Sequence, residues 1–271
     1  MNDDRPSLLL SPADHAALHM AVKHLENANF AARIADYAGA PVSRLLSILP
    51  RTVNRQLSGL VHSAVMRGLD VAVDTLDQKP PPEPLSGFSS LLAGGVSGLF
   101  GFGALAVELP FTTTVMLRAI AEIAQHEGED LTQLEARLAC LEVFAYGTKR
   151  TDDAIGIGYY AARTLISKYT GDIAALFLER GAIDASAPVV SNLVAEIVSR
   201  FGLVVSDKVA ASAVPIIGAV SGATINVIFI NHFQKIAKGH FTLRRLERRY
   251  GSSHIRHHYT LLATAPAKVT S

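Results

Sequence analysis

Glu108 has the setting that most invites chemistry. It closes an uncharged run of twenty residues, 88–107, and immediately precedes Leu109-Pro110. A carboxylate among apolar neighbours either meets a cation or holds its proton more tightly. Arg118 and Glu122 stand four residues apart, share one helical face, and can reach Glu108 if the helices fold back. The structural reading of the three is an ion pair locking a hairpin; the functional one is a binding or catalytic acid. Asn226, Asn231 and His232 close a second uncharged run, 209–231. Asparagine in an apolar helix bonds to a neighbouring helix more often than to a ligand. His232, His240 and Glu247 are the natural metal candidates, but eight residues separate the histidines and no HExxH spacing is present. No metal site and no cofactor is expected. Arg244, Arg245, Arg248 and Arg249 form a dense basic patch. It either complements a helix C-terminus or faces anionic lipid head groups.

Other motifs of chemistry are missing. Ser97, Ser206 and Ser221 do not lie in GxSxG, and no GKS or GKT follows the glycines. The single cysteine, Cys140, allows no intramolecular disulfide and reads as a small buried apolar residue. His254, His257 and His258 sit in what reads as a solvated tail.

The elements that must position these residues are helical. Apolar spacing is helical along nearly the whole chain, with no sustained strand alternation. A first helix starts at Ser11-Pro12, where serine caps and proline costs no hydrogen bond, and ends at Gly39 and Pro41. A second covers 42–76, bent near Pro50. KPPPEP at 79–84 cannot continue a helix. Helices follow over 112–126, from Asp130 to Gly147, after Asp153, over 173–179 and over 188–201. In the two uncharged runs, Gly94/Gly98 and Gly218/Gly222 have the GxxxG spacing that lets backbones approach closely. The expected domains are an N-terminal helical pair (1–79), a proline-rich linker (80–85), a helical core (86–251) and a flexible tail (252–271).

Composition bounds the function. Hydrophobic residues make up 49% and charged residues 18% of 271, with 25 basic and 24 acidic side chains. Mean hydropathy is +0.27. A nucleic-acid partner would call for a basic excess, which is absent. The N-terminus opens with two acids and only a three-leucine run, which is not a secretory signal, so a cytoplasmic location is expected.

The stretches AGGVSGLFGFGALAVELPFTTTVMLRAIAEIAQHEGED, CLEVFAYG, GYYAAR, RFGLVVSDKVAASAVPIIGAVSGATINVIF and HFTLRRLERRYG, in that order, resemble the EcsC family. The resemblance covers roughly residues 86–251. It implies a helical protein of the bacterial cytoplasm or inner membrane, and supplies no catalytic residues to carry over. The expectation is an all-α multi-helix bundle with the two glycine-rich apolar segments at its centre. It would act by packing, by lipid contact at the inner membrane or by recognising a membrane protein, rather than by chemistry. The alternative is a soluble helical domain, with or without hydrolytic activity, whose apolar pocket holds a lipid or acyl chain, with Glu108, Arg118 and Asn226 inside.

Overall fold

A computed structural model of the protein describes residues 9–27, 30, 32–33, 51–74, 102–147, 158–180, 187–212 and 222–265. Among them are eight α-helices, one 3-10 turn and no strand. The helices are α1 (Pro12–Glu26), α2 (Arg51–Asp74), α3 (Phe102–His126), α4 (Leu134–Glu142), α5 (Gly158–Arg180), α6 (Pro188–Ser212), α7 (Gly222–Tyr250) and α8 (Ser252–Thr264). The turn Val143–Tyr146 extends α4. The chain is an all-α multi-helix bundle.

The local signals explain most starts and stops. Ser11 caps α1, its Oγ accepting from Asp14 N at 3.1 Å, with Pro12 at the first helical position. Gly251, at φ 90°, ends α7 in a backbone conformation that other residues rarely adopt. Asp130 does not cap α4 directly. Its Oδ1 accepts from Thr132 N and Thr132 Oγ1 in a side-chain-closed turn, and the helix starts three residues after Leu131, at Leu134.

Elsewhere packing overrides the local reading. Pro110 does not interrupt the chain; it lies inside α3, which runs unbroken from Phe102 to His126. Thr113 and Thr114 donate their hydroxyls back to the carbonyls of Leu109 and Pro110 within the same helix. The helices expected over 173–179 and 188–201 are parts of longer α5 and α6. The expected flexible tail is corrected over 252–264. Ile255 and Tyr259, four residues apart, are fully buried there, so α8 has one apolar stripe and α1 and α7 to bury it on.

α1 packs chiefly on α7 and α8, and α2 on α3, α6 and α4. Among the described residues, then, each N-terminal helix docks on the main body. Gly239 allows the closest approach: a Cβ there would sit 2.8 Å from Leu25 Cγ and 3.1 Å from the Ala21 carbonyl oxygen. The centre of the bundle is a ring cluster. Phe144 lies 4.9 Å from Phe201 and 5.4 Å from Phe233, centroid to centroid, and Phe229 lies 5.3 Å from Phe233.

The bundle has two distinct ends. Glu127, just past α3, bonds to Thr242 and Arg245 near the end of α7. Ten residues earlier in α3, Leu117 meets Leu141 of α4 over Gly68. α4 itself runs from Glu135, beside Arg244, toward Gly147, beside His232. α3 and α7 therefore run parallel. α6 runs against α7, bringing Lys208 Nζ 4.9 Å from the Phe229 ring. Phe102, Ser212 and Gly222 thus lie toward one end, and Glu129, Arg248 and Tyr250 toward the other. The GxxxG pair Gly94/Gly98 lies outside the described residues, as does Gly218; the expected close packing of the two glycine-rich runs falls there.

Candidate functional site

Polar side chains inside the bundle concentrate where α4, α5, α7 and α8 meet. Glu142 is 2% exposed and accepts from Tyr146 Oη and from Thr170 Oγ1, each at 2.7 Å. Burial pushes its carboxyl pKa up, against the two hydroxyls that favour the charged form. Tyr159 Oη bonds to His240 Nδ1 at 2.8 Å. The other ring nitrogen, Nε2, is shielded and has no hydrogen-bond partner. Burial holds His240 well below its usual pKa, so the imidazole is neutral. Arg163 forms a bidentate pair with Glu247 at 2.9 and 2.7 Å, and Tyr160 Oη donates to the same carboxylate at 2.9 Å. Tyr259 Oη donates to Glu26 at 2.5 Å, tying α8 to α1.

The tyrosines stack into this network. Tyr159 lies 5.2 Å from both Tyr146 and Tyr160, and Tyr160 lies 4.8 Å from Tyr259. Burial raises the pKa of all four phenols. They therefore stay protonated, and Tyr146, Tyr160 and Tyr259 donate to Glu142, Glu247 and Glu26. The cluster holds protons in defined places and, His240 Nε2 apart, has its buried polar atoms engaged. It is suited to holding helices together more than to turning over a substrate. Sequence reasoning did not assemble Glu142, Tyr146 and Tyr159: the first two stand four residues apart on α4 and its extension, but Tyr159 comes from α5, and nothing in the spacing brings the two helices together.

The arginine patch is placed at the same end, but it is not a free basic surface. Arg244 bonds to Glu129 at 2.8 and 2.9 Å, and Arg248 to the same carboxylate. Arg245 bridges Glu127 at 2.7 Å and Asp14 at 3.1 Å, and Arg249 reaches Asp14 at 3.0 Å. Asp14 also accepts from Tyr250 Oη at 2.7 Å. That bond, with Ser11 and the arginines, holds its carboxyl below the usual range despite desolvation. The patch clasps α1, the α3–α4 turn and α7 together, with Arg248 and Arg249 paired yet still exposed.

The other sequence candidates scatter. Arg118 and Glu122 are exposed on α3, so Arg118 does not lie inside an apolar pocket. Glu108 belongs to α3, but its side chain lies outside the described residues. Asn226 is half-buried with Oδ1 shielded and without a hydrogen-bond partner, and Asn231 is exposed. His232 is buried and bonds through Nε2 to the Gly147 carbonyl at 2.6 Å. Desolvation lowers its pKa to about 4, against that bond. His232, His240 and Glu247 thus have three different partners and do not converge. Cys140 is buried, and burial raises its thiol pKa. His254 and His258 stack at 4.6 Å on α8.

Three further residues went unnoticed in the sequence. Asp207 is pushed up to about 6 by desolvation. Lys208 is buried against Phe229. Arg137 is only 5% exposed, and desolvation lowers its pKa. A groove of about 610 Å³ opens between α2 and α3, lined by His62, Ser63, Met66, Arg67, Asp70 and Pro110 among others.

Residues 85–246 match the model of the EcsC protein family, which is more than half of the chain. The chain belongs to the EcsC family. No curated protein and no solved structure gives a significant match. The EcsC span takes in α3 to α6 and α7 as far as Leu246. α1, α2 and α8 lie outside it, yet α1 covers α7, and α2 covers α3 and α6. In this EcsC protein the family segment is thus completed by helices from both flanks.

Proposed function

We propose that this EcsC-family protein is a membrane-associated helical protein that works by packing, lipid contact and partner recognition rather than by catalysis. It docks on the cytoplasmic face of the inner membrane through the end of the bundle where the glycine-rich runs join it. The observation that carries this reading is the topology. Two uncharged runs, 88–107 and 209–231, are separated by about a hundred residues in sequence. Their helices, α3, α6 and α7, all turn the joining ends toward one pole. The opposite pole holds the arginine–carboxylate clasp, whose charges already satisfy one another. Lipid contact therefore rests on apolar surface more than on basic charge.

α6 is the one described helix long and apolar enough to cross a bilayer, over Pro188–Ala211. It reads as a core helix rather than a span: Leu193, Ile197, Phe201 and Val205 are all fully buried in the bundle. Attachment is accordingly peripheral or by a shallow hairpin.

The test is co-sedimentation of the full chain with vesicles of phosphatidylethanolamine and phosphatidylglycerol. The protein is expected in the pellet at both low and high salt, because apolar contact resists screening. Protein that stays in the supernatant at every lipid concentration would remove the reading. Release by salt alone would return the role to the arginines.

A further inference from the structure

α8 is fastened to the bundle by its apolar stripe and crowded with imidazoles beside it. Gly251, the single residue between α7 and α8, takes φ 90° and separates the two helices. Ile255 and Tyr259 are fully buried, and Tyr259 Oη donates to Glu26 of α1 at 2.5 Å. Next to that stripe the His254 and His258 rings meet edge to face with centroids 4.6 Å apart, and His257 lies 5.9 Å from His258. His15 of α1 is the fourth member: the charges that act on His258 are those of His254, His257 and His15. Desolvation, and then those three charges, hold His258 below its usual pKa.

Among the described residues, no carboxylate of the helices packed here is spare to answer a positive charge. α8 carries none, α1 only Asp14 and Glu26, and α7 only Glu247. Asp14 is taken by Tyr250, Arg245 and Arg249, Glu26 by Tyr259, and Glu247 by Tyr160 and Arg163 of α5. On α1 the remaining ionisable groups are His19, Lys23 and His24. At the end of α7 they are the clasp arginines and Tyr250, and on α8 Arg256, which lies over the Tyr160 ring at 5.3 Å. α5 brings Arg163 and two phenols, Tyr159 and Tyr160.

Two features of α8 make a charged imidazole less favourable still. His254 stands in the first turn, where the helix dipole disfavours a cation. Its Nε2 is shielded from water and has no hydrogen-bond partner, so a charged ring would bury an N–H that nothing accepts. On a released helix the same rings meet water and take up protons at their ordinary affinity. Protons therefore favour release. Docking is at full strength above about pH 6.5 and weakens as pH falls below it.

We propose that α8 is an acid-released strap: charge on His254, His257 and His258, beside His15, loosens it from α1 and α7 and uncovers the Ile255–Tyr259 stripe. This conformational device does not rest on the membrane reading.

The test is hydrogen–deuterium exchange of the full chain at about pH 7.5 and about pH 5.5, with rates corrected for the chemical dependence of exchange on pH. Protection of the α8 amides is expected to fall on the order of tenfold for each histidine whose proton affinity differs by about one unit between docked and released helix. α7 should keep its protection. H254Q/H257Q/H258Q should hold α8 equally well at both pH values, and H15Q, altered at an exposed position of α1, should lose less than the parent. Equal protection of α8 at both pH values in the parent overturns the proposal. So does a loss shared equally by α7, which is global unfolding, or a docked triple variant that loses as much as the parent. Should the triple variant lack protection already at the higher pH, H15Q decides: a loss equal to the parent's overturns the proposal, and a smaller one upholds it.

Discussion

At the scale of single residues, burial sets protonation more than charge pairing does. His232 is neutral because desolvation outweighs its bond to Gly147, His240 because desolvation and the nearby Arg163 and Arg244 cations act together, and desolvation pushes Glu142 toward its neutral form. Asp207 gives the cleanest experiment, because desolvation is the whole cause of its shift from 3.8 to about 6. A carboxyl whose folded pKa is raised favours the folded state while protonated. Its penalty is absent below about pH 3.8, grows as pH rises toward 6, and is complete above that. D207N removes the penalty. It is expected to be more stable than the parent at pH 7.5 by about 1–2 kcal/mol, after allowance for partial exposure, and equal to it at pH 3.5. Denaturant titrations of both proteins at the two pH values check this. His232 works in the opposite sense: its contribution is intact above pH 6.5 and is lost as pH falls toward 4. The parent-minus-variant difference isolates Asp207 from it.

At the scale of elements, close approach and reciprocal bonds decide which helices belong together. α1 meets α7 at Gly239, where added volume would press on Leu25 and on the Ala21 backbone. G239A is expected to cost about 1–3 kcal/mol, seen as a lower Tm and as earlier proteolysis near the N-terminus. Unchanged stability would mean that the α1–α7 contact yields easily. This level was only partly legible in the sequence. Ser11-Pro12 and Gly251 were readable because a cap and a left-handed glycine are local facts. α8 was not: its polar, histidine-rich sequence looks solvated until Ile255 and Tyr259 find α1 and α7. The helix expected over 112–126 also runs back through Pro110 to Phe102, which nothing local signals. Of the site candidates, the arginine patch was legible as a cluster. Its carboxylates were not, because Asp14, Glu127 and Glu129 lie more than a hundred residues away in sequence.

At the scale of the whole molecule, the described helices of the bundle have two distinct poles. One pole is closed by the clasp of Asp14, Glu127 and Glu129 with four arginines. The other is where both glycine-rich runs attach. An inserted cysteine reports on either pole, because Cys140 is buried with its thiol pKa raised and competes little for label. Val227, 36% exposed on the first turns of α7, marks the pole assigned to the membrane; exposed Ser252 marks the clasp. The decisive measurement is the emission of an environment-sensitive dye at V227C and at S252C, in separate proteins, as phosphatidylglycerol-containing vesicles are added. The account expects a blue shift and brightening at Val227, with little change at Ser252. A response at Ser252 instead, or at neither position, would contradict it.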